Sequence, residues 1–393
     1  MKYNFDSIID RTDTHSEKWD GRAQVFGRAD VLPLWVADMD FPAPAPVVAA
    51  VAKRAAHGIY GYTARPDALS AAVMDWTATR HGWNLKQDWL IHTPGVVPAI
   101  NMAINAFTRP GEGILIQPPV YPPFFRTIAN NDRRIVQNPL QYENGRYTIN
   151  YADLEAKLDQ GVKMLVLCSP HNPVGRVWSR DELARLGELC LRREVVIVSD
   201  EIHSDIVFPG NAHIPLATVS ESLARCTVTC IAPSKTFNVA GFSASVTIIP
   251  DQGLRARFRD IIKRWGMGSG NIFGMTAMEA AYRHGANWLD QLLAYLNENA
   301  ILVAEYLRKN IPPLKTVRPE GTYLAWLDCR ELAIDQAALG RLMIETAGVG
   351  LNDGLDFGEE GRGFMRLNFG CPRSILLEGL QRIERAVEGH TRL

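Results

Sequence analysis

The chain alternates short, uniformly apolar runs with helical patterns, and several of those runs end in one polar residue. Met164-Leu165-Val166-Leu167-Cys168 runs into Ser169-Pro170-His171-Asn172-Pro173-Val174-Gly175, and Val195-Val196-Ile197-Val198-Ser199 delivers Asp200-Glu201-Ile202-His203. Cys226-Thr227-Val228-Thr229-Cys230-Ile231 precedes Ala232-Pro233-Ser234-Lys235. Runs this short and this apolar are strands buried on both faces. Strands that alternate with helices give a largely parallel sheet covered on each side, whose ligands sit beyond the carboxyl ends of the strands. Asn172, Asp200 and Lys235 fall at those ends.

At 393 residues and 47% hydrophobic composition the chain can bury a large core, and its length favours two domains over one. A formal net charge of -1 carries no footprint of nucleic-acid or anionic-membrane binding. The six cysteines, Cys168, Cys190, Cys226, Cys230, Cys329 and Cys371, include no C-x-x-C pair, and several sit in apolar runs. That suits reduced, buried thiols in a cytoplasm. The start has no apolar export segment, and no stretch approaches about eighteen uncharged apolar residues, so neither a signal nor a membrane span is expected. H-E-x-x-H, G-x-S-x-G and a strand-to-helix G-x-G-x-x-G are all absent, which makes other catalytic readings poor, and no metal site is expected.

Along the chain, an irregular start ends at Pro42, Pro44 and Pro46, which hold back a helix until about Val47; the helix then runs to His57. Gly58-Ile59-Tyr60-Gly61-Tyr62 suits a turn that displays an aromatic hydroxyl, or a tyrosine packed over the next helix. A helix from Asp67 to His81 and a strand Trp89 to His92 follow. Thr93-Pro94-Gly95-Val96-Val97 then turns into a helix from Pro98 to Phe107. Such a turn aims backbone N–H groups and a positive dipole end at one spot, a ready phosphate site. The strand Gly113 to Gln117 runs into Pro118-Pro119-Val120-Tyr121-Pro122-Pro123, where four prolines stiffen the loop that carries Tyr121. Beyond the lysine come a strand Phe242 to Ile249, a helix Leu254 to Trp265, a glycine-rich loop to Gly270 and a helix Trp288 to Asn310. A C-terminal unit from Tyr323 has Phe364 to Gly370 as its inner strand.

A lysine at a buried strand end has its amine pKa lowered, and an amine partly neutral near pH 7 can condense with an aldehyde. That is the chemistry of pyridoxal 5'-phosphate (PLP). A pyridine ring held in a protein needs a carboxylate for its nitrogen, a donor for its phenolic oxygen and a lysine for its aldehyde. Asp200, Asn172 and Lys235 are those groups. Taken singly, Asp200 also suits a helix cap, Asn172 a turn and Arg366 a surface ion pair.

The four segments Ser169 to Gly175, Ser199 to His203, Ala232 to Asn238 and Met365 to Gly370 resemble the motifs of PLP enzymes of fold type I. More narrowly, Leu34-Trp35-Val36-Ala37-Asp38-Met39-Asp40-Phe41, Gly58 to Tyr62 and Gly358-Glu359-Glu360-Gly361-Arg362-Gly363-Phe364 resemble the MalY/PatB-type C–S β-lyases, the aminotransferase-like cystathionine β-lyases. The resemblance implies an α/β, aspartate aminotransferase-like fold: a large domain, 47–285, with a mostly parallel seven-stranded sheet between helices, and a smaller α/β C-terminal domain, 286–393. Residues 1–46 would be an N-terminal arm belonging to the small domain.

It also implies roles. Lys235 would hold PLP as a Schiff base and then act as the base at the substrate α-carbon. Asp200 would pair with the ring nitrogen, Asn172 would bond the phenolic oxygen, and Tyr121 would stack on the ring. Gly95, Val96, Val97 and the Ser234 hydroxyl would bind the phosphate. Tyr62 would reach the phosphate of the other subunit of a cytoplasmic homodimer. Arg366 would clamp the substrate α-carboxylate, assisted by Ala37 and Asn172. Departures from the aminotransferase pattern are Ala232 and Ser243, where a serine and an arginine commonly bind phosphate, and His203, where a tyrosine is usual. The β-lyases share that histidine. The expected reaction is β-elimination from cystathionine or a related cysteine S-conjugate, giving a thiol, pyruvate and ammonia. An aminotransferase and a regulatory protein-binding role are the rival expectations.

Overall fold

A computed structural model describes residues 2–143, 145–268 and 270–391. Seven strands form the main sheet: β1 (Leu90–Thr93), β2 (Gly113–Ile116), β3 (Arg134–Gln137), β4 (Val162–Cys168), β5 (Val196–Asp200), β6 (Thr227–Ile231) and β7 (Ser245–Ile248). Their order is β1-β7-β6-β5-β4-β2-β3, and only β7 runs antiparallel to its neighbours. Alternation along each strand serves two cores. Ile114, Ile116, Met164, Val166 and Val198 face one, shared with Ile100 and Phe258 of helices on that side; Leu115, Leu165, Leu167 and Ile197 face the other, shared with Leu183 and Leu186.

A second, antiparallel sheet has four strands: β8 (Lys315–Thr316), β9 (Leu324–Asp328), β10 (Asn352–Asp353) and β11 (Phe364–Asn368), in the order β8-β9-β11-β10. Leu324 and Leu367 share a core with Leu296 and Leu307 of a helix Ala286–Asn310 and with Leu380 and Ile383 of the last helix. The N-terminal segment joins this part of the molecule, because Leu32–Pro33 pairs in parallel with Val349–Gly350.

The helices that shape the site are α1 (Ala45–Ala56), α2 (Asp67–His81) and α3 (Val96–Phe107). Pro46 sits in the first turn of α1, where its missing N–H costs nothing, so the helix starts slightly before Val47. The irregular start in fact holds two short helices, Glu17–Asp20 and Arg22–Phe26. The expected strand from Phe242 begins only at Ser245, because Ala240–Phe242 is a 3-10 turn and Ser243 is left-handed at φ 48°. Sequence patterns missed β3, an edge strand with one buried residue in four, and a helix Ile272–His284 rich in Ala, Gly and Met. No helix among the described residues is long and apolar enough to cross a membrane.

Candidate active site

Beyond the carboxyl ends of β4, β5 and β6 lies a cavity of about 210 Å³, lined among others by Ala37, Gly95, Val96, Val97, Tyr121, Asn172, Asp200, His203, Ser234 and Lys235. Ten of the twelve residues singled out by sequence thus share one space. Arg366 stands just behind it, bonded to Asn172, while Tyr62 lies apart, fully exposed at 106%. Sequence spacing alone does not reach across such distances; the parallel order of the strands does.

Lys235 belongs to a one-turn helix, Pro233–Thr236, directly after β6. Its Nζ donates to Ala37 O at 2.6 Å, and the Tyr323 hydroxyl donates to the same carbonyl at 2.8 Å. Burial lowers the amine to about 8, and Asp38 opposes that pull. Asp200 ends β5 with a single donor to its carboxyl among the described residues, Ile202 N–H at 3.1 Å, and burial pushes that carboxyl up to about 7. A buried carboxylate so short of donors is suited to a cationic N–H placed in the cavity.

Asn172 follows β4 in a turn whose peptide bonds before Pro170 and Pro173 are cis, and its N–H donates to Cys168 Sγ at 3.3 Å. Arg366, on β11, donates from Nη1 to Asn172 Oδ1 at 3.1 Å, and from Nη2 to Trp35 O at 3.0 Å and Asn352 Oδ1 at 2.6 Å. Its Nε has no partner among the described residues, its guanidinium lies 4.9 Å from the Phe357 ring centre, and burial lowers its pKa to about 10. A buried guanidinium with a free donor, held only by exchangeable neutral acceptors, is prepared for a carboxylate.

At the opposite end α3 begins after Gly95 with no side-chain cap, and its first helical bond is Ala99 N–H to Gly95 O. The N–H groups of Val96 and Val97 are therefore free for an anion. Ser243 lines this end, where an arginine would have added charge. Burial raises the Tyr121 hydroxyl, and Asp200 adds to it. His203 is buried with Nδ1 unpartnered, its ring edge-on to Tyr323 at 5.8 Å, and burial lowers it to about 3, so it is neutral. One cavity therefore holds an amine, a donor-poor carboxylate, an amide and an uncapped helix start, a donor set that fits PLP.

Sequence reasoning missed the parts that hold Ala37 in place. Asn238 bonds Met39 N–H at 3.0 Å and the Met39 and Phe41 carbonyls at 2.8 Å each, while Asn368 bonds Val36 O and Asp38 O. Arg11 pairs with Asp38 and Asp40 at 2.6 Å each, and buried Lys18 pairs with Asp40 at 2.6 Å. Asn238 and Asn368 stand inside the quoted motifs, which was the available signal; Arg11, Lys18, Tyr323 and Asn352 left none.

The glycines of the Gly358 to Phe364 motif have a packing reason. A Cβ on Gly361 would lie 1.9 Å from Gly354 O, so only glycine lets this turn close and carry Phe357 under Arg366.

Comparison with known proteins agrees with this architecture. Cystathionine β-lyase PatB of Bacillus subtilis (strain 168) is 46% identical over 385 residues, covering 98% of this chain and 100% of the relative. Protein MalY of Escherichia coli (strain K12) is 36% identical over 389 residues, covering 98% and 99%. The crystal structure of cystalysin from Treponema denticola, which contains PLP, superposes with a TM-score of 0.95 at 38% identity, covering 99% of this chain and all of that one. Residues 29–383 match the aminotransferase class I and II family, and the chain belongs to it.

Proposed function

We propose that this protein is a PLP-dependent C–S β-lyase acting on cystathionine or a related cysteine S-conjugate. The observation that carries the reading is the meeting of Lys235, Asp200 and Asn172 in one cavity, with the Arg366 fork bonded to Asn172. The names of cystathionine β-lyase PatB, 46% identical, of the cystathionine β-lyase of Corynebacterium glutamicum, 32% identical, and of the PLP-bound C–S lyase of Staphylococcus hominis, 33% identical, support it over amino transfer.

Bound PLP supplies an electron sink for the pair left when the substrate loses its Cα proton. Lys235 is the base for that proton, and its burial favours the neutral amine that the step needs. Arg366 exchanges Trp35 O and Asn352 Oδ1 for the substrate carboxylate and so fixes the Cα–H bond relative to Lys235. Asp200 would keep the ring nitrogen protonated, Asn172 would offer its NH2 to the phenolic oxygen, and Tyr121 would cover the ring. The N–H groups of Val96 and Val97, behind Gly95, and the Ser234 hydroxyl would hold the phosphate. Neutral His203 lines the same cavity and would add no charge. The Cβ–S bond then breaks, the thiolate leaves with its electron pair and takes a proton, and the released aminoacrylate hydrolyses to pyruvate and ammonia.

Residues 47–285 form the coenzyme-binding domain, and 286–393 with the 1–46 arm form the small one. The protein works as a cytoplasmic homodimer in which exposed Tyr62 reaches the neighbouring phosphate. Incubation with cystathionine should release pyruvate and ammonia in equal amounts without any 2-oxo acid acceptor. Consumption of substrate only when an acceptor is added, with no ammonia, would make the protein an aminotransferase instead.

A further inference from the structure

Behind the cavity runs a buried chain of polar side chains, none of which lines it. Thr236, the neighbour of Lys235, donates its hydroxyl to Asp205 Oδ2 at 2.7 Å. Asp205 Oδ1 accepts from Trp76 Nε1 at 3.0 Å and lies 2.9 Å from His81 Nε2, both on α2. The His81 ring stands edge-on to His213, centroids 5.4 Å apart at 83°. His213 Nε2 is 2.9 Å from Glu201 Oε2, and Glu201, the neighbour of Asp200, also accepts from the Ser199 hydroxyl at 2.8 Å and Leu216 N–H at 3.1 Å. The residues that follow the lysine and the acid are thus joined to each other along a path outside the cavity.

Two carboxylates buried at 5% and 1% exposure are a costly way to gain stability, since apolar side chains of similar volume commonly do as well. What they add is direction. The helix that carries Lys235 has four residues and no side-chain cap, too short to hold its own geometry. Its position has to come from outside, and the Thr236 to Asp205 bond is a fixed point on its last residue. An acceptor-only carboxylate takes the Trp76 indole and the Thr236 hydroxyl as donors at once, whereas an amide keeps both contacts only by donating its NH2 to Thr236 and reversing that bond.

We infer that Asp205 is a positioning residue for the reaction, locking the Lys235 turn to α2 and, through His81 and His213, to the loop that follows Asp200. The inference rests on reading Lys235 as the coenzyme lysine. When the Thr236 to Asp205 bond is cut, Lys235 loses its fixed place opposite Ala37 O and gains access to water.

The test uses Thr236→Val, which removes the bond but no charge, beside Asp205→Asn and Asp205→Glu. In the wild-type holoprotein, borohydride reduction and peptide mapping should label Lys235; a label elsewhere, or none, defeats the reading of Lys235 and the Asp205 assignment with it, whereas a label on Lys235 leaves the variants to decide the Asp205 assignment alone. In the apoprotein, competitive acylation then reports the Lys235 amine, which burial holds near 8 and which Asp38, Arg366, Asp200 and Glu17 also face. In Thr236→Val its midpoint should rise by about one pH unit toward that of an ordinary lysine. PLP should bind about tenfold more weakly, and kcat should fall about tenfold or more with KM changed less than about twofold. Asp205→Glu should recover part of the loss seen in Asp205→Asn. If Thr236→Val lowers the unfolding midpoint but leaves the acylation midpoint, PLP affinity and kcat at wild-type values, Asp205 is structural only and the inference is wrong.

Discussion

Arg366 Nη1 donates to Asn172 Oδ1 at 3.1 Å, and this bond joins the inner strand of the small sheet to a strand end of the large one. A guanidinium only donates, so the bond also fixes the amide: Asn172 presents its oxygen to Arg366 and its NH2 to the cavity. The substrate clamp and the coenzyme contact are therefore set by a single contact.

Replacing Arg366 with lysine removes the fork while keeping the charge. The loss should be about 2–4 kcal/mol, or roughly 30- to 1,000-fold in kcat/KM, carried mainly by KM. Steady-state kinetics with cystathionine measure it; an unchanged KM would place the substrate carboxylate elsewhere.

The amine of Lys235 should show its lowered pKa directly. An amine pulled to about 8 becomes neutral as pH rises through 8, so acylation of Lys235 in the apoprotein should rise across pH 7–9 and then level off. A midpoint above about 10, the range of an ordinary lysine, would contradict its burial.

Asp200 should make the apoprotein pH-sensitive. Burial raises its pKa from 3.8 to about 7, so its contribution to stability is complete below about pH 4 and is lost as pH rises through 7. Asp200→Asn should be close to wild-type apoprotein stability near pH 4 and exceed it at pH 8, while kcat/KM falls about 100-fold or more for want of the ring partner. Thermal unfolding of both apoproteins at the two pH values is the measurement; a wild-type apoprotein more stable than the variant at pH 8 would reverse the sign.

Gly361→Ala should destabilise the protein by about 1–3 kcal/mol, because its Cβ would lie 1.9 Å from Gly354 O and the turn beneath Arg366 would have to move. Urea unfolding should report the stability loss, and a raised KM should accompany it through the displaced Phe357.

The Tyr62 ring is fully exposed, and Ile59 and Tyr60 beside it are 69% and 56% exposed. Sedimentation should give a dimer, and Tyr62→Phe should weaken PLP binding about five- to tenfold without dissociating it, the effect of one lost hydrogen bond. A monomer at micromolar concentration would remove the shared site.

The sheet was legible from sequence because its strands are short, apolar on both faces and punctuated by glycine and proline, all properties of neighbouring residues. The same locality placed Asn172, Asp200 and Lys235 at strand ends and Gly95 before a helix. Edge strand β3 and the helix Ile272–His284 escaped because one has a single buried residue in four and the other lacks a clear polar face. Tertiary structure alone decided what meets what: the Ala37 carbonyl receives a lysine 198 positions away and a tyrosine 286 away, and Arg366 finds Asn172 across 194. Such bonds depend on how strands are ordered and sheets are joined, and residues so far apart leave no periodicity between them to read. Asp205 is the clearest case, for a carboxylate with three donors from two distant segments looks, in one dimension, like any aspartate after a strand.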